Sequence, residues 1–243
     1  MIYVLCMNKI QIKKCYPYAK NPFWFSKNND LSSTSYLKYY EMYTESAPDI
    51  SDLKDFFLLK FLELNCNKIL NIASIQYLIN LEELHIHTSD FKDEDMIWLK
   101  KLGKLKRLDL HRTKVTDVSS LENLVNLEML WAPNNTINTV SLEKLIHLKN
   151  LCLWRNQISD ISSLKKLVNL ETLYLESNQI TDISPLSNLV NLESLYLANN
   201  PITDISPLKN FVNLSYLQLH STLNSQQQID ELKKALPKCK IDF

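Results

Sequence analysis

Four residues offer the densest potential for chemistry. His85 and His87 stand two apart, and Asp109 and His111 repeat that spacing further along the chain. A spacing of two puts both side chains of a pair on one face of a strand. If the two segments are adjacent strands, ~4.8 Å apart, His85 lies beside Asp109 and His87 beside His111. Such a square, flanked by Arg107 and Arg112, has the donors to hold Zn²⁺. Its imidazoles could equally tune binding to pH, since they titrate near ~6.5. The spacing is not a recognised zinc signature, so the reading adopted is a polar surface that meets a partner, with no metal and no cofactor. Cys152 is the one thiol placed to act as a nucleophile, but no histidine falls beside it to activate it. The sole glycine, Gly103, argues against a phosphate-cradling loop, a dinucleotide fingerprint and a nucleophile elbow, all of which need several. Catalysis is therefore not expected.

These residues are positioned by a repeat. Ile180 to Pro201 reads ITDISPLSNLVNLESLYLANNP, Ile202 to Leu223 reads ITDISPLKNFVNLSYLQLHSTL, and Ile158 to Gln179 reads ISDISSLKKLVNLETLYLESNQ, a period of 22 residues. Each unit carries an apolar pair two residues apart: Leu62/Leu64, Leu84/Ile86, Leu108/Leu110, Leu130/Ala132, Leu151/Leu153, Leu173/Leu175, Leu195/Leu197 and Leu217/Leu219. Adding one period brings in Cys239/Ile241 as a ninth pair. Five positions after the first member comes a polar residue: Asn67, Ser89, Thr113, Asn135, Asn156, Asn178, Asn200 or Thr222. Stacked in register, these side chains can bond the backbone of neighbouring turns and take over the turn-making role of glycine.

The residues that flank each buried pair point the other way, to the open face of the sheet. There the second candidate site appears. Trp131, Trp154, Tyr174 and Tyr196 form an aromatic stripe, with Met129 and Tyr216 nearby and Arg155 and Glu176 beside it. Outward aromatics on a wet sheet are costly unless something covers them, and Trp and Tyr are frequent interface anchors. The alternative is that they shield one another as cross-strand neighbours. The partner-binding set is these eight residues together with His85, His87, Asp109 and His111.

The pattern L-x-x-L-x-L-x-x-N-x-I resembles that of leucine-rich repeats, over about residues 50 to 243. The units are similar to the 22-residue type of bacterial internalins and of the leucine-rich regulatory subunit of protein phosphatase 1. That resemblance implies an α/β repeat solenoid: a horseshoe with a parallel concave sheet of about nine strands and a convex side mostly of turns or 3-10 pieces. It also implies a protein partner on the concave face. One unit cannot bury its leucines alone, so the units must stack and both ends need caps. Residues 225–243 supply one cap, a helix from Gln226 to Leu236 followed by Pro237 and a last strand. Residues 50–224 are the repeats. Residues 1–49 are an aromatic-rich cap or flanking segment with Phe23-Trp24-Phe25 and with Tyr36, Tyr39, Tyr40 and Tyr43 at helical spacing. Asp93 to Lys101, with acidic starters, is expected to form a helix on the convex side.

Composition narrows the partner. Lys plus Arg and Asp plus Glu both number 27, so the formal net charge is zero. A nucleic-acid binder or membrane-surface protein usually carries a basic surplus. Five scattered cysteines read as reduced thiols. The apolar start, Met1 to Met7, is too short for a signal sequence. The expected protein is a cytoplasmic monomer that acts as a scaffold or adaptor for a protein partner. The alternatives are a secreted effector or adhesin of internalin type, a phosphatase regulator, and a metal-dependent enzyme at the histidine patch.

Overall fold

The computed structural model describes residues 39–44, 47–138, 140–223 and 225–243. Ten strands form one sheet in strict sequence order, every pair parallel. They are β1 (Tyr39–Thr44), β2 (Phe61–Cys66), β3 (Glu83–His87), β4 (Arg107–Asp109) and β5 (Met129–Trp131). β6 (Asn150–Cys152), β7 (Thr172–Tyr174), β8 (Ser194–Tyr196), β9 (Tyr216–Gln218) and β10 (Lys240–Asp242) follow. From β2 to β9 the predicted first leucines pair across every junction, and each is 0% exposed. Burying one such leucine contributes about 1.5–3 kcal/mol, and only a stacked neighbour can complete that burial.

The sheet has one strand more than the nine expected, because it starts inside the segment read as a tyrosine helix. Tyr39–Thr44 is extended, with Tyr40 beside Leu62 and Met42 beside Leu64. Met42 is buried. The physical reason is that β2 would otherwise end the sheet with a bare row of amide and carbonyl groups, and aromatic residues suit a pleated surface. Tyr36 and Phe23-Trp24-Phe25 lie outside the described residues.

The last strand also differs from the extrapolated register. Ile241, not Cys239, pairs with Leu217, and Lys240 lies beside Tyr216. The final unit is two residues longer than the period because helix α1 (Gln226–Ala235) occupies its return path. Ser225 caps α1 by accepting from the Gln228 amide at 3.3 Å, and Leu232 and Leu236 are buried.

The polar ladder runs from Thr113 to Thr222. Asn135, Asn156, Asn178 and Asn200 are buried. The Asn178 Nδ2 donates to Leu153 O at 3.0 Å and Leu175 O at 2.9 Å, while its Oδ1 accepts from the Ile158 amide at 3.0 Å. Each asparagine thus ties its own turn to the preceding unit. The residue before each ladder position has positive φ: Arg112, Asn134, Arg155, Ser177, Asn199 and Ser221, all near 54–58°. The ladder holds the left-handed turn that glycine would adopt freely. Ser89 does not join it: it is exposed, and Thr88 Oγ1 instead donates to Asn67 O at 3.0 Å. β3 runs longer than the later strands, so its turn begins elsewhere and the five-residue offset fails there.

Two smaller motifs order the return side. Asp117, Asp160, Asp182 and Asp204 each accept from the amide two residues on, at 2.7–2.8 Å, and so start the 3-10 turns. A second ladder joins the units on the outside: Asn80, Asn126, Asn169, Asn191 and Asn213 donate to the preceding unit's backbone at 2.7–2.9 Å. His147, aligned with Asn126 and Asn169, occupies the equivalent position in its unit and is exposed. Asp93–Lys101 is a nine-residue 3-10 helix rather than an α-helix. Asp93 is drawn away to the next unit, accepting from the Thr116 amide at 2.8 Å and its hydroxyl at 2.5 Å.

Candidate functional site

The open face divides into an acidic, histidine-bearing half over β1–β4 and an aromatic half over β5–β9. The dividing line is the pairing of Asp109 with Trp131.

In the first half His85 is in register with Asp109 as expected, but the side chains pair differently from the square that the spacing suggested. His85 pairs with Asp109 across β3 and β4. His87 Nε2 lies 3.1 Å from Asp109 Oδ2, and the Asp109 Oδ1 accepts from the His111 amide at 2.9 Å. His85 Nε2 lies 2.9 Å from Glu83 Oε1, and Glu83 is held by Arg107 at 2.6 Å. Burial pulls the His87 pKa down, but the Asp109 carboxylate beside it and Glu63 outweigh that and leave it raised. For His111 burial wins, aided by Arg112 and His87, and its pKa falls. His111 turns aside: its Nε2 lies 3.2 Å from Asn134 Nδ2, and its ring is edge-on to His87 at 6.0 Å. Three of the four residues in the predicted square therefore converge. Sequence reasoning stopped one strand short of a further acidic residue, Glu41. Glu41 on β1 pairs with Glu63, and the Tyr43 hydroxyl donates to the Glu63 carboxylate. Burial, then Glu63, raises the Glu41 pKa. Subtracting one period from Leu62/Leu64 exposes Tyr40/Met42, and with it Glu41.

In the second half, β6 carries Cys152 where its neighbours carry Trp131 and Tyr174. Cys152 is 0% exposed, and burial raises its thiol pKa far above the ordinary range, which disfavours the thiolate that nucleophilic chemistry needs. Its small side chain lets Trp131 and Tyr174 meet over it, ring centroids 5.6 Å apart at 61°. The run continues with Tyr174 stacked on Tyr196 at 4.3 Å and Tyr196 tilted against Tyr216 at 5.1 Å. Lys240 caps the far end, 5.7 Å from the Tyr216 ring. Trp154 has the Arg155 guanidinium 5.0 Å from its ring. Met129 and all five rings are half-buried. The aromatics both shield one another and present one continuous edge to solvent.

Glu176 stands one position past Leu175, between Trp154 on one side and the buried Ala198 on the other. Its Oε2 is shielded from water and has no hydrogen-bond partner. Desolvation pushes its pKa up from 4.5 to about 6. The same loss of water, then the neighbouring Tyr196, pushes Tyr174 up to about 12. A carboxyl that binds its proton more tightly in the folded state stabilises the fold at low pH. That contribution is complete below about pH 4.5 and is lost as pH rises through about 6. Glu176→Gln is thus expected to raise stability at pH 7 by about 1–2 kcal/mol, with the gain vanishing near pH 4. Urea titrations of both proteins at pH 4 and pH 7 measure this, and a gain independent of pH would refute the desolvation argument.

On the return side a shallow cleft of about 540 Å³ opens beside Ser141, Glu143, Asp160, Lys165 and Lys166. It lies where the unit between β5 and β6 is one residue short and shows no 3-10 helix among its described residues. Cys66, Cys152 and Cys239 are free thiols. Among the described residues no helix is long and apolar enough to cross a membrane.

Comparison with known proteins agrees with this architecture. The family described as Leucine Rich repeats (2 copies) matches residues 146–188 and 190–234. Among solved structures, internalin C2 of Listeria monocytogenes is 30% identical, with a TM-score of 0.70, over 80% of this chain and 83% of that one. An internalin (inlF) from the same organism is 28% identical, with a TM-score of 0.74, over 84% of this chain and 58% of that one. A leucine-rich-repeat protein of Leptospira interrogans, 24% identical with a TM-score of 0.68 over 84% of this chain and 58% of that one, shares the fold. No curated protein sequence matches the chain.

Proposed function

Because the chain belongs to the leucine-rich-repeat proteins, with repeats like those of internalins, we propose that it captures a protein partner on the open face of its sheet. A protein-interaction role is general to such folds, and they are generally scaffolds rather than enzymes. The observation that carries the finer reading is the aromatic run Trp131–Tyr174–Tyr196–Tyr216, half-buried and continuous across five strands. Its ring edges give rigid apolar area at little entropic cost. Trp154 and the shielded Glu176 Oε2 beside it, which has no hydrogen-bond partner, favour a partner segment that brings a lysine or arginine. A cation there gains the ring faces and the desolvated carboxylate together.

The test is the double variant Trp154→Ala/Tyr174→Ala, whose side chains lie on the open face away from the leucine core. Immobilised wild-type and variant proteins are compared for captured proteins by quantitative mass spectrometry, with equal melting profiles as the control for folding. The binder defined by wild type should lose at least about 30-fold in affinity, as two anchors of this kind do. Recovery of the same proteins at the same strength by the variant would sink the proposal.

A second reading has its own support. The 30% identity to internalin C2 extends over 83% of that protein, which favours an internalin-like effector or adhesin that works outside the producing cell. Immunodetection in the culture supernatant of intact cells separates this from a cytoplasmic adaptor.

A further inference from the structure

We propose that His85, His87 and Asp109 form a binding site for a first-row divalent cation, Zn²⁺ foremost. Each residue offers one ligand atom, and the three atoms lie within 4.8 Å of one another. The 3.1 Å between His87 Nε2 and Asp109 Oδ2 matches the ligand–ligand edge of tetrahedral zinc, roughly 3.3 Å for bonds of ~2.0–2.1 Å. Two histidines at a spacing of two on β3 point the same way, and Asp109 joins them from the adjacent strand.

Three further observations favour a cation here. His87 Nε2 is shielded from water and faces the Asp109 carboxylate, an ion pair that a cation seated between the two would replace. The ligands are oriented from behind. The His111 amide holds Asp109 Oδ1 at 2.9 Å and leaves Oδ2 aimed at His87, while Glu83, anchored by Arg107, holds His85. Metal-binding groups are commonly steered by such partners. Finally, Glu63 and Glu41 lie on the neighbouring strands and make the surroundings anionic.

The donor set selects the metal class. Two imidazoles and one carboxylate suit zinc and its first-row relatives, whereas calcium and magnesium prefer oxygen alone. With three protein ligands, a fourth coordination position faces the open side of the sheet. The backbone beneath is fixed, since Leu84, Ile86 and Leu108 are 0% exposed. The site therefore costs little reorganisation to fill. It lies over β3 and β4, apart from the aromatic run, and does not depend on the nature of the protein partner.

The experiment uses the full, untagged chain, freed of metal with a chelator and dialysed. Zn²⁺ is titrated by calorimetry, and Co²⁺ by visible absorbance. One zinc per chain is expected, together with the intense visible bands of tetrahedral cobalt, bleached when zinc displaces it. His87→Gln and Asp109→Asn should each weaken binding by at least about 10-fold, while His147→Gln and His220→Gln leave it unchanged. Asp109→Asn keeps the oxygen that accepts from His111. It decides the matter if His87→Gln melts differently from wild type in chelator. Sub-stoichiometric zinc, a weak octahedral cobalt spectrum, or undiminished binding by Asp109→Asn overturns the assignment.

Discussion

Replacing Asn178 by alanine is expected to lower the unfolding free energy by about 4 kcal/mol. The buried amide of Ile158 loses its partner outright, and the carbonyls of Leu153 and Leu175 each lose one of their two asparagine donors, keeping Asn156 and Asn200 respectively. The orphaned amide costs about 1–3 kcal/mol and each of the two lost bonds to a carbonyl about 0.5–1.5 kcal/mol, and Asn178 is only 8% exposed, which leaves little room for water to replace its side chain. The loss also falls on two units, because Asn178 bonds both its own turn and the preceding one. Ser177, just before it, stays in the left-handed region at φ 55° only while those bonds hold it there. Two further variants sharpen the point. Asn178→Thr should cost less, since Thr113 shows a hydroxyl serving the ladder by donating to Leu110 O at 3.2 Å. Asn178→Asp should cost at least as much as alanine, because a second acceptor would face the carbonyls of Leu153 and Leu175. Urea midpoints at constant slope measure all three. Equal stability of wild type and Asn178→Ala would show that the ladder does not hold the turns.

The repeat was legible because its physics is periodic. Leu173, Leu195 and Leu217 must face the core, the spacing of two in each pair forces the next residue outward, and the register follows without a coordinate. The illegible parts are where the period breaks. β1 was hidden because Tyr40 and Met42 replace the leucines, and because tyrosines at 36, 39, 40 and 43 satisfy a helical spacing as well as a strand. The last register slipped because α1 lengthens its unit by two residues. Ser89 was placed on the ladder by counting five, but β3 continues to His87 and Thr88 bonds instead. The outer ladder of Asn80, Asn126, Asn169, Asn191 and Asn213 was visible as the recurrent asparagine before a leucine. Its carbonyl partners are a matter of how units stack.

The candidate sites were legible to the same depth. Alternation placed Trp131, Tyr174 and Tyr196 on the open face, and periodicity put His85 beside Asp109. Alternation does not say how side chains lean. That Trp131 and Tyr174 close over Cys152, and that His111 turns to Asn134, depends on the volumes of neighbours and on hydrogen bonds made after the strand ends. The shielding of the Glu176 carboxyl is likewise a product of packing, since burial depends on Trp154 and Ala198 on either side of it. A glutamate one position past a leucine is ordinarily a solvated side chain, so residue type alone does not foretell it.

Leu189→Ala is expected to cost about 3 kcal/mol, and its immediate neighbour Val190→Ala less than about 0.5 kcal/mol. Both sit in the same Leu-Val-Asn-Leu run, so residue type does not separate them. Leu189 is 0% exposed, in register with Leu167 and Phe211 one period away on either side, whereas Val190 is 45% exposed. Truncating Leu189 leaves a void that the stacked units above and below cannot collapse into, because their backbones are tied by both asparagine ladders. Val190 merely loses surface to water. The contrast matters because the exposed position recurs as Ile79, Val125, Ile146, Val168, Val190 and Val212, an apolar ridge along the return side. If that ridge is bare in solution, Val190→Ala is neutral in urea titrations at any protein concentration. A concentration-dependent loss at Val190 approaching that at Leu189 would mean that the ridge is covered by another copy of the chain, and that the protein is not a monomer.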